Sequence, residues 1–457
     1  MRTGELSGCP QRMETTPLRT ALGRARLPRY TSYPPANRFD AGIGPETVAA
    51  WLEELPADGP VSLYVHVPFC RRVCFFCACR TQVARGDAPL DAWLAHIARE
   101  IALVRARLPG RLPVRRLSLG GGTPTILSPE ALDRLGELLC GAFDIGADAE
   151  ISVEIDPGAC DAARIDALAR MGVRRATIGM PDLDPRVQRT TGRTQSLEVT
   201  RETVAELRAR GIDRIGFELL YGLPHQTAAG LGATLEAALA EAPDRIALPG
   251  YAHVPWISRR QRMIPEDTLP GPEARMALAE GAAARLHEAG YVQVGIDHFA
   301  RPDDALARAA AAGTLGRSFQ GYEPEPAATL IGFGPSAVSR LPQGFAQNAG
   351  GTGAWQSEIS SGRLATRSGW RLSARDAAIG RAIERIMCDG TVDLSWYPQA
   401  PATELLLRAR TAMIELPGLG RVEGNRITID TMTGARLLAS RLDPDFAPER
   451  DNFSLAC

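Results

Sequence analysis

Strand-type and helix-type segments alternate along most of this chain, and that alternation limits the fold more than any other feature. Residues 61–67, VSLYVHV, are rich in β-branched and aromatic side chains and predict a strand. Leu90, Leu94, Ile97, Ile101 and Val104 follow at helical spacing. Further strands are predicted at 114–119, 151–155, 174–178, 215–221, 245–248 and 291–295. Ser128-Pro129 supplies an N-cap and a first-turn proline for a helix through Leu132, Leu135 and Leu139. Helices at 162–171, 197–210 and 272–289 stop at Gly172, Gly211 and Gly290, and another spans 230–241. Strand–helix units roughly 30 residues apart build parallel sheets. Six or more in one run favour an α/β fold of the full or partial (β/α) barrel type over a doubly wound sheet. On a barrel, chemistry sits on loops leaving the C-terminal ends of the strands.

The two ends of the chain read differently. Residues 1–25 read as a disordered lead, and 27–40, with Pro28, Pro34, Pro35 and several aromatics, as an extended arm. Gly350, Gly351 and Gly353 predict a break. Beyond it, 374–387 and 404–413 read as helices and 417–430 as a hairpin turning at Gly424-Asn425. Three units are therefore expected: an N-terminal arm over 1–52, partly disordered; a barrel over 53–350; and a small, mostly helical cap over 351–457. The cap has the look of a winged helix but lacks a basic stripe, so a lid role is preferred to DNA binding.

Composition removes several function classes. The 457 residues carry a formal net charge of −1, with 45% hydrophobic and 23% charged residues. That balance excludes a strongly basic nucleic-acid binder and supports a sizeable core. All 52 basic residues are Arg, so a Schiff-base lysine, a lysine-held pyridoxal phosphate and a P-loop are excluded. Residues 1–26 are polar, without the apolar region of a secretory signal. No apolar run reaches the roughly 18–20 residues of a membrane span, so a cytoplasmic protein is expected.

Nine cysteines divide into two groups. Cys9, Cys140, Cys160, Cys388 and Cys457 are scattered and read as small buried hydrophobes or inert thiols. Cys70, Cys74, Cys77 and Cys79 crowd one loop after the first predicted strand. In a reducing compartment such a cluster favours metal or redox chemistry. Zinc prefers paired C-x2-C ligands and a closed fourth position. Cys70-x3-Cys74-x2-Cys77 instead offers three thiolates to a [4Fe–4S] cluster, leaving one iron open. Gly120-Gly121-Gly122-Thr123-Pro124, after the second strand, lets a ligand approach the backbone on the same face. Gly332-x-Gly334-x2-Ala337 superficially matches a dinucleotide fingerprint, but Pro335 breaks the expected helix start.

The cysteine spacing and glycine run resemble the radical S-adenosylmethionine (SAM) superfamily. Within it, YVHVPFC through FFCAC, RYTSYP, EISVEIDP, YGLP, YAHVP, DHFARP and FQGY resemble the oxygen-independent coproporphyrinogen III oxidases, also called coproporphyrinogen dehydrogenases, from about residue 29 to the C-terminus. The resemblance implies a partial (β/α)6-type radical SAM barrel with a [4Fe–4S] cluster on Cys70, Cys74 and Cys77. It implies two SAM molecules: one against Tyr64, Gly121, Glu154 and Val338, the other against Phe76, Gly122, Thr123, Arg193, Glu218 and Ala252. No catalytic side chain is implied beyond the cluster and SAM. A carboxylate such as Glu154 suits hydroxyl or ammonium groups, and Arg193 suits a carboxylate. His66 reads as a strand residue beside the cluster rather than a ligand.

The implied activity is oxidative decarboxylation of two propionates of coproporphyrinogen III to vinyls, giving protoporphyrinogen IX, with a 5′-deoxyadenosyl radical as the abstracting species. The substrate's carboxylates call for Arg contacts. Arg29, Arg38, Arg301 and Arg317 are candidates, with solvated surface Arg as the alternative; His253 and His298 are further candidates. The arm over 30–39 could cover the macrocycle, with substrate-free disorder as the alternative. Two positions depart from the family: Pro181 stands where Gln is usual, and Glu218 where Asp is usual, both in the second SAM pocket. They motivate one rival, a radical SAM enzyme acting differently on another tetrapyrrole. The other rival is a heme-binding chaperone. A monomer is the family's default, and the electron donor and acceptor are not legible.

Overall fold

A computed structural model describes residues 17–447 and 453–455. Six strands lie side by side and parallel: β1 (Val61–Val67), β2 (Val114–Gly121), β3 (Glu150–Ile155), β4 (Arg175–Gly179), β5 (Arg214–Glu218) and β6 (Arg245–Ala247). The intervening helices are α1 (Ala88–Arg105), α2 (Pro129–Ala142), α3 (Ala162–Arg170), α4 (Leu197–Ala209) and α5 (Ala228–Ala240), with α6 (Pro272–Glu288) after β6. Ser128, Asp161, Ser196 and Thr227 cap α2 to α5 by accepting a backbone N–H. The α/β alternation read from sequence is therefore the architecture.

The sheet is larger than that alternation. Beyond β6 it gains β7 (Val292–Val294) and β8 (His298–Ala300). Beside β1 it gains β9 (Thr329–Phe333), parallel, then β10 (Val338–Leu341), β11 (Gly344–Asn348) and β12 (Thr366–Arg371), antiparallel. The order β12-β11-β10-β9-β1-β2-β3-β4-β5-β6-β8-β7 has two edges, and among the described residues no pairing closes it. A partial barrel results.

Alternation of side chains gives the sheet two unlike faces. Outward residues such as Leu63, Val65, Leu117, Leu119, Ile151, Val153, Ile178 and Phe217 pack against Ile97, Ile101, Leu132, Leu135, Leu168, Val204 and Leu231 of the helices. Each such buried side chain contributes ~1.5–3 kcal/mol. Inward positions are small or polar: Ser62, Ser118, Ser152, Thr177 and Gly216, with the Ser118 and Ser152 hydroxyls 2.9 Å apart. Those short side chains leave a lumen inside the curved sheet.

Charged residues floor the lumen at the strands' N-terminal ends. Arg175 Nη2 lies 3.2 Å and Arg245 Nε 2.8 Å from the Asp304 carboxylate. Glu150 faces Arg214 at 3.1 Å and Arg175 and Arg116 at 3.6 and 3.7 Å. Burial opposes ionisation of Glu150 and Asp304, but the surrounding Arg hold both carboxyls below their ordinary range.

The first and last described segments meet on one side. Pro17–Arg24 is a helix, a correction to the lead expected without structure over 1–25; residues 1–16 lie outside the described residues. The arm is held from the C-terminal part: Leu27 N donates to Ser454 O (3.3 Å), Arg436 Nε to Pro28 O (3.1 Å), and Tyr30 hydroxyl to Asp443 (3.1 Å). Tyr30 and Tyr33 share a core with α7 (Ala374–Asp389), α8 (Gln399–Glu415) and α9 (Ala435–Leu442). The expected hairpin is Gly420–Glu423 with Arg426–Ile429, and Thr391–Asp393 adds a third strand. No helix among the described residues is long and apolar enough to cross a membrane.

Breaking the floor tests this account. Asp304→Ala leaves the buried Arg245 guanidinium without its carboxylate and Arg175 with only Glu150 at 3.6 Å, and is expected to cost about 3–5 kcal/mol. Urea unfolding should show a lower midpoint at unchanged slope; an unchanged midpoint would contradict a structural role for the floor.

Candidate active site

The end of β1 runs into the cysteine loop, and the end of β2 into the glycine run. Backbone bonds lock the two together: Gly122 N donates to Val67 O and Thr123 N to Phe69 O, both at 2.8 Å. The loop is closed at its far side by a short parallel pairing of Phe69–Cys70 with Gln82–Val83. The glycines are required by this approach. A Cβ on Gly122 would stand 2.5 Å from Phe69 O; one on Gly121, whose φ is +103°, would stand 2.4 Å from the His66 ring.

Cys70, Cys74 and Cys77 are half-buried free thiols on this loop. Burial raises the Cys70 and Cys74 thiols, and the charge of Cys77 adds to both; Thr123 hydrogen-bonds Cys70, and Arg193 Nη1 lies 3.8 Å from Cys74 Sγ. Cys77 is pulled down to about 6, first by the Cys79 thiol, with help from Arg260 and Thr81. Cys79, with no ligand role read from sequence, is thus the hydrogen-bond partner of Cys77. Among the described residues no three His, Cys, Asp or Glu side chains are drawn together as a finished metal site. The donor set nonetheless fits an iron–sulfur cluster: three soft thiols on one loop, cations beside two of them, and a glycine cradle alongside.

The residues assigned to the first SAM surround the same mouth. Glu154 accepts from Gly121 N at 3.0 Å, and burial, then the neighbouring Glu218, raise its carboxyl to about 7. The Tyr64 phenol is pushed up by burial and by Glu154 and Cys79, and meets His66 Nδ1 at 3.2 Å. His66 Nε2 is 3.0 Å from Arg80 O, so both ring nitrogens are spoken for. Val338 is buried at the start of β10. Gly332 therefore lies in β9 and Gly334 in the turn to β10 rather than opening a dinucleotide-binding helix, and Gly334 passes so near β1 that a Cβ would stand 2.6 Å from His66 O.

The residues assigned to the second SAM are more dispersed in role. Arg193 is buried and occupied: Nη1 pairs with Asp156 at 2.7 Å, Nη2 donates to Gly179 O at 3.2 Å, and Nε to Gln195 at 3.1 Å. Phe76 and Ala252 are joined through Gln261, whose Nε2 donates to Phe76 O (2.7 Å) and Ala252 O (3.0 Å). Glu218 projects into the lumen; burial raises it, and Arg29, His298 and Arg193 oppose that. Pro181 is buried, and its carbonyl accepts from Leu220 N at 3.1 Å.

Of the candidate arginines, Arg29 is exposed and its charge reaches Glu218 and Asp297. Arg317 is buried, donating to the Arg29 and Tyr30 carbonyls. Arg38 pairs with Asp443 at 3.0 Å, and Arg301 is an exposed residue paired with Asp303. His253 bridges Tyr251 hydroxyl (2.8 Å) and Glu266 (3.2 Å).

Sequence reasoning missed the residues that hold the cysteine loop from outside. Fully buried Gln261, Ser258 (to Cys77 O, 2.8 Å) and Arg260 (to Thr81 O, 2.6 Å) form one clamp over 258–261. Buried Glu100 on α1 accepts from Gly334 N (2.7 Å), Asn348 (2.8 Å) and Trp355 (3.1 Å). A charged residue on the apolar face of α1 was the one available signal.

Comparison with known proteins gives a consistent picture. The Radical SAM superfamily model matches residues 64–238. An oxygen-independent coproporphyrinogen III oxidase of Cereibacter sphaeroides is 46% identical over 425 residues, 92% of this chain and 94% of its own. One of Bradyrhizobium diazoefficiens is 43% identical over 445 residues, 96% and 99% of the two chains. A solved structure of the coproporphyrinogen III oxidase of Escherichia coli, described as a radical SAM enzyme, aligns with TM-score 0.86 at 32% identity, covering 92% of this chain and 98% of that one.

Gln261→Leu should remove the clamp's central donors at similar size. Left unpaired, the Phe76 and Ala252 carbonyls cost about 1–3 kcal/mol each. Iron per chain after reconstitution and desalting is expected to fall several-fold while far-UV circular dichroism is unchanged; full iron retention would contradict the clamp.

Proposed function

The chain belongs to the oxygen-independent coproporphyrinogen III oxidase family of radical SAM enzymes, and from that premise we propose that it converts coproporphyrinogen III to protoporphyrinogen IX. The observation that carries this is identity above 40% along more than nine-tenths of both chains. A bound [4Fe–4S] cluster and SAM supply the radical chemistry: a β-hydrogen leaves each of two propionates, then CO₂ and one electron depart and a vinyl remains.

The chain's own groups bind and orient. Cys70, Cys74 and Cys77 are proposed as the iron ligands. Gly121, Tyr64, Glu154 and Val338 line one SAM position, with the Glu154 carboxylate suited to an ammonium or hydroxyl group. Small inward residues along β1 to β5 leave room for a macrocycle, and the arm with Tyr30 and Tyr33 excludes water from one side. The proposed units are the arm 1–52, the barrel 53–350 and the cap 351–457, with β12 tying the start of the cap to the barrel's sheet. A monomer in the cytoplasm is the proposed working form.

The second SAM is the finer question. Phe76, Gly122, Thr123, Arg193, Glu218 and Ala252 would line its pocket. Arg193 already has the Asp156 carboxylate at 2.7 Å, and Pro181 offers no side-chain amide. The proposal is therefore that the second SAM is held more weakly than the first.

Anaerobic reconstitution followed by equilibrium dialysis with labelled SAM tests this. Expected are one tightly and one weakly held SAM per chain, and protoporphyrinogen IX when reductant, an electron acceptor and coproporphyrinogen III are added. Cys70→Ala or Cys74→Ala should abolish SAM cleavage. SAM cleavage without vinyl product would overturn the decarboxylation reading, and tight heme binding without SAM cleavage would favour a chaperone.

A further inference from the structure

One row of the sheet crosses the mouth of the lumen: Gly179, Glu218, Ala247 and His298 stand in register on four neighbouring strands. Adjacent strands lie ~4.8 Å apart, so Glu218 and His298 are about 10 Å apart with one position between them. That position is Ala247, which offers only a methyl group. No hydrogen bond joins the Glu218 and His298 side chains among the described residues, so a slot separates carboxyl from imidazole.

The imidazole is built into place. His298 Nδ1 lies 2.7 Å from Asp297 Oδ1, which fixes Nδ1 as the donor to that carboxylate. The ring stands edge-on to Tyr322, centroids 5.1 Å apart at 79°. Tyr322 is itself pinned: its hydroxyl donates to Met387 O at 2.9 Å and accepts from Ile296 N at 3.0 Å. The buried Arg317 guanidinium lies 4.4 Å over the Tyr322 ring. Gly321 stands beside Nε2, where even an added Cβ would remain 3.6 Å away. Nε2 has no protein partner among the described residues, and 24% of the side chain is exposed.

Charge at the mouth is shared. Burial would raise Asp297, but the His298 hydrogen bond and charge, then Arg317 and Arg29, hold it well below the usual carboxylate range. The same Arg29 and His298 act on Glu218 from across the slot. With Nδ1 held by Asp297, Nε2 is the ring nitrogen presented outward. An incoming carboxylate would find Nε2 on one side and Arg29, projecting from the arm, on the other.

We propose that the slot over Ala247 is a carboxylate subsite in which His298 Nε2 and Arg29 bind one propionate of the tetrapyrrole, with Asp297 and Tyr322 as positioning residues. This rests on the tetrapyrrole reading of the site. It assigns the propionate contact to a histidine and to Arg29, whose guanidinium donates to a backbone carbonyl (Gly250 O, 3.3 Å), rather than to Arg38 or Arg301, which are paired with carboxylates.

The test uses reconstituted enzyme with coproporphyrin III, the fluorescent oxidised macrocycle, and its tetramethyl ester, which keeps the ring but lacks the charges. His298→Ala should weaken coproporphyrin III binding about tenfold, the usual scale for losing one charged hydrogen bond, and leave ester binding unchanged. KM for coproporphyrinogen III should rise by a similar factor with kcat little altered. His298→Gln, which keeps a donor, should recover part of the loss. Ala247→Val, which fills the slot and leaves every polar group intact, should weaken the acid more than the ester. Wild-type affinity and KM in His298→Ala would overturn the proposal, as would equal loss of acid and ester. A wild-type enzyme that binds neither macrocycle and forms no vinyl product would instead overturn the tetrapyrrole reading.

Discussion

Parallel pairing of Val61–Val67 with Val114–Gly121 is the constraint on which everything else depends. In a parallel pair both strands end on the same side, so the loops that follow them emerge together. Here one loop carries four cysteines, three of them proposed as ligands, and the other follows a run of three glycines at the end of β2. Gly122 and Thr123 then continue the pairing beyond the strand ends, onto Val67 O and Phe69 O. A side chain at Gly121 or Gly122 would push the loops apart. The mouth of the barrel is thus set by backbone hydrogen bonds and missing Cβ atoms before any ligand is considered.

The two faces of the sheet divide the remaining work. Apolar residues on the outward face bind the helices and supply most of the stabilising burial. Small inward residues leave space, charged pairs around Asp304 and Glu150 close the floor, and the titratable groups Glu154, Glu218, Asp297 and His298 gather at the rim. The cap contributes from outside: its helices hold Tyr30 and Tyr33, which keeps the arm across the open side of an unclosed sheet. Function follows from this layering, because a large carboxylate-bearing ring needs both room and a few fixed cations.

Much of this was legible in the chain because parallel strands covered by helices read as apolar runs separated by amphipathic helices. The β1 to β6 run, the cap at Ser128, the cysteine loop and the Gly424-Asn425 turn all announce themselves. The strands β8 to β12 do not: they are three to six residues long, and β9 is buried throughout, so TLIGF shows no alternation. The helix Pro17–Arg24 escaped notice because it is short and its partners lie far along the chain. Gln261 was invisible for a related reason: it works by meeting backbone atoms of neighbouring loops, and no local spacing marks such a residue. Glu100 left one signal, a charge on the apolar face of α1, but its partners Gly334, Asn348 and Trp355 lie far along the chain.

The chemistry assigned to this barrel begins when hydrogen leaves a propionate β-carbon. Coproporphyrinogen III deuterated at the propionate β-carbons tests it directly, with the 5′-deoxyadenosine formed in a single anaerobic turnover analysed by mass spectrometry. Deuterium is expected in the 5′-deoxyadenosine, with vinyl product formed alongside. Unlabelled 5′-deoxyadenosine accompanying vinyl formation would contradict it.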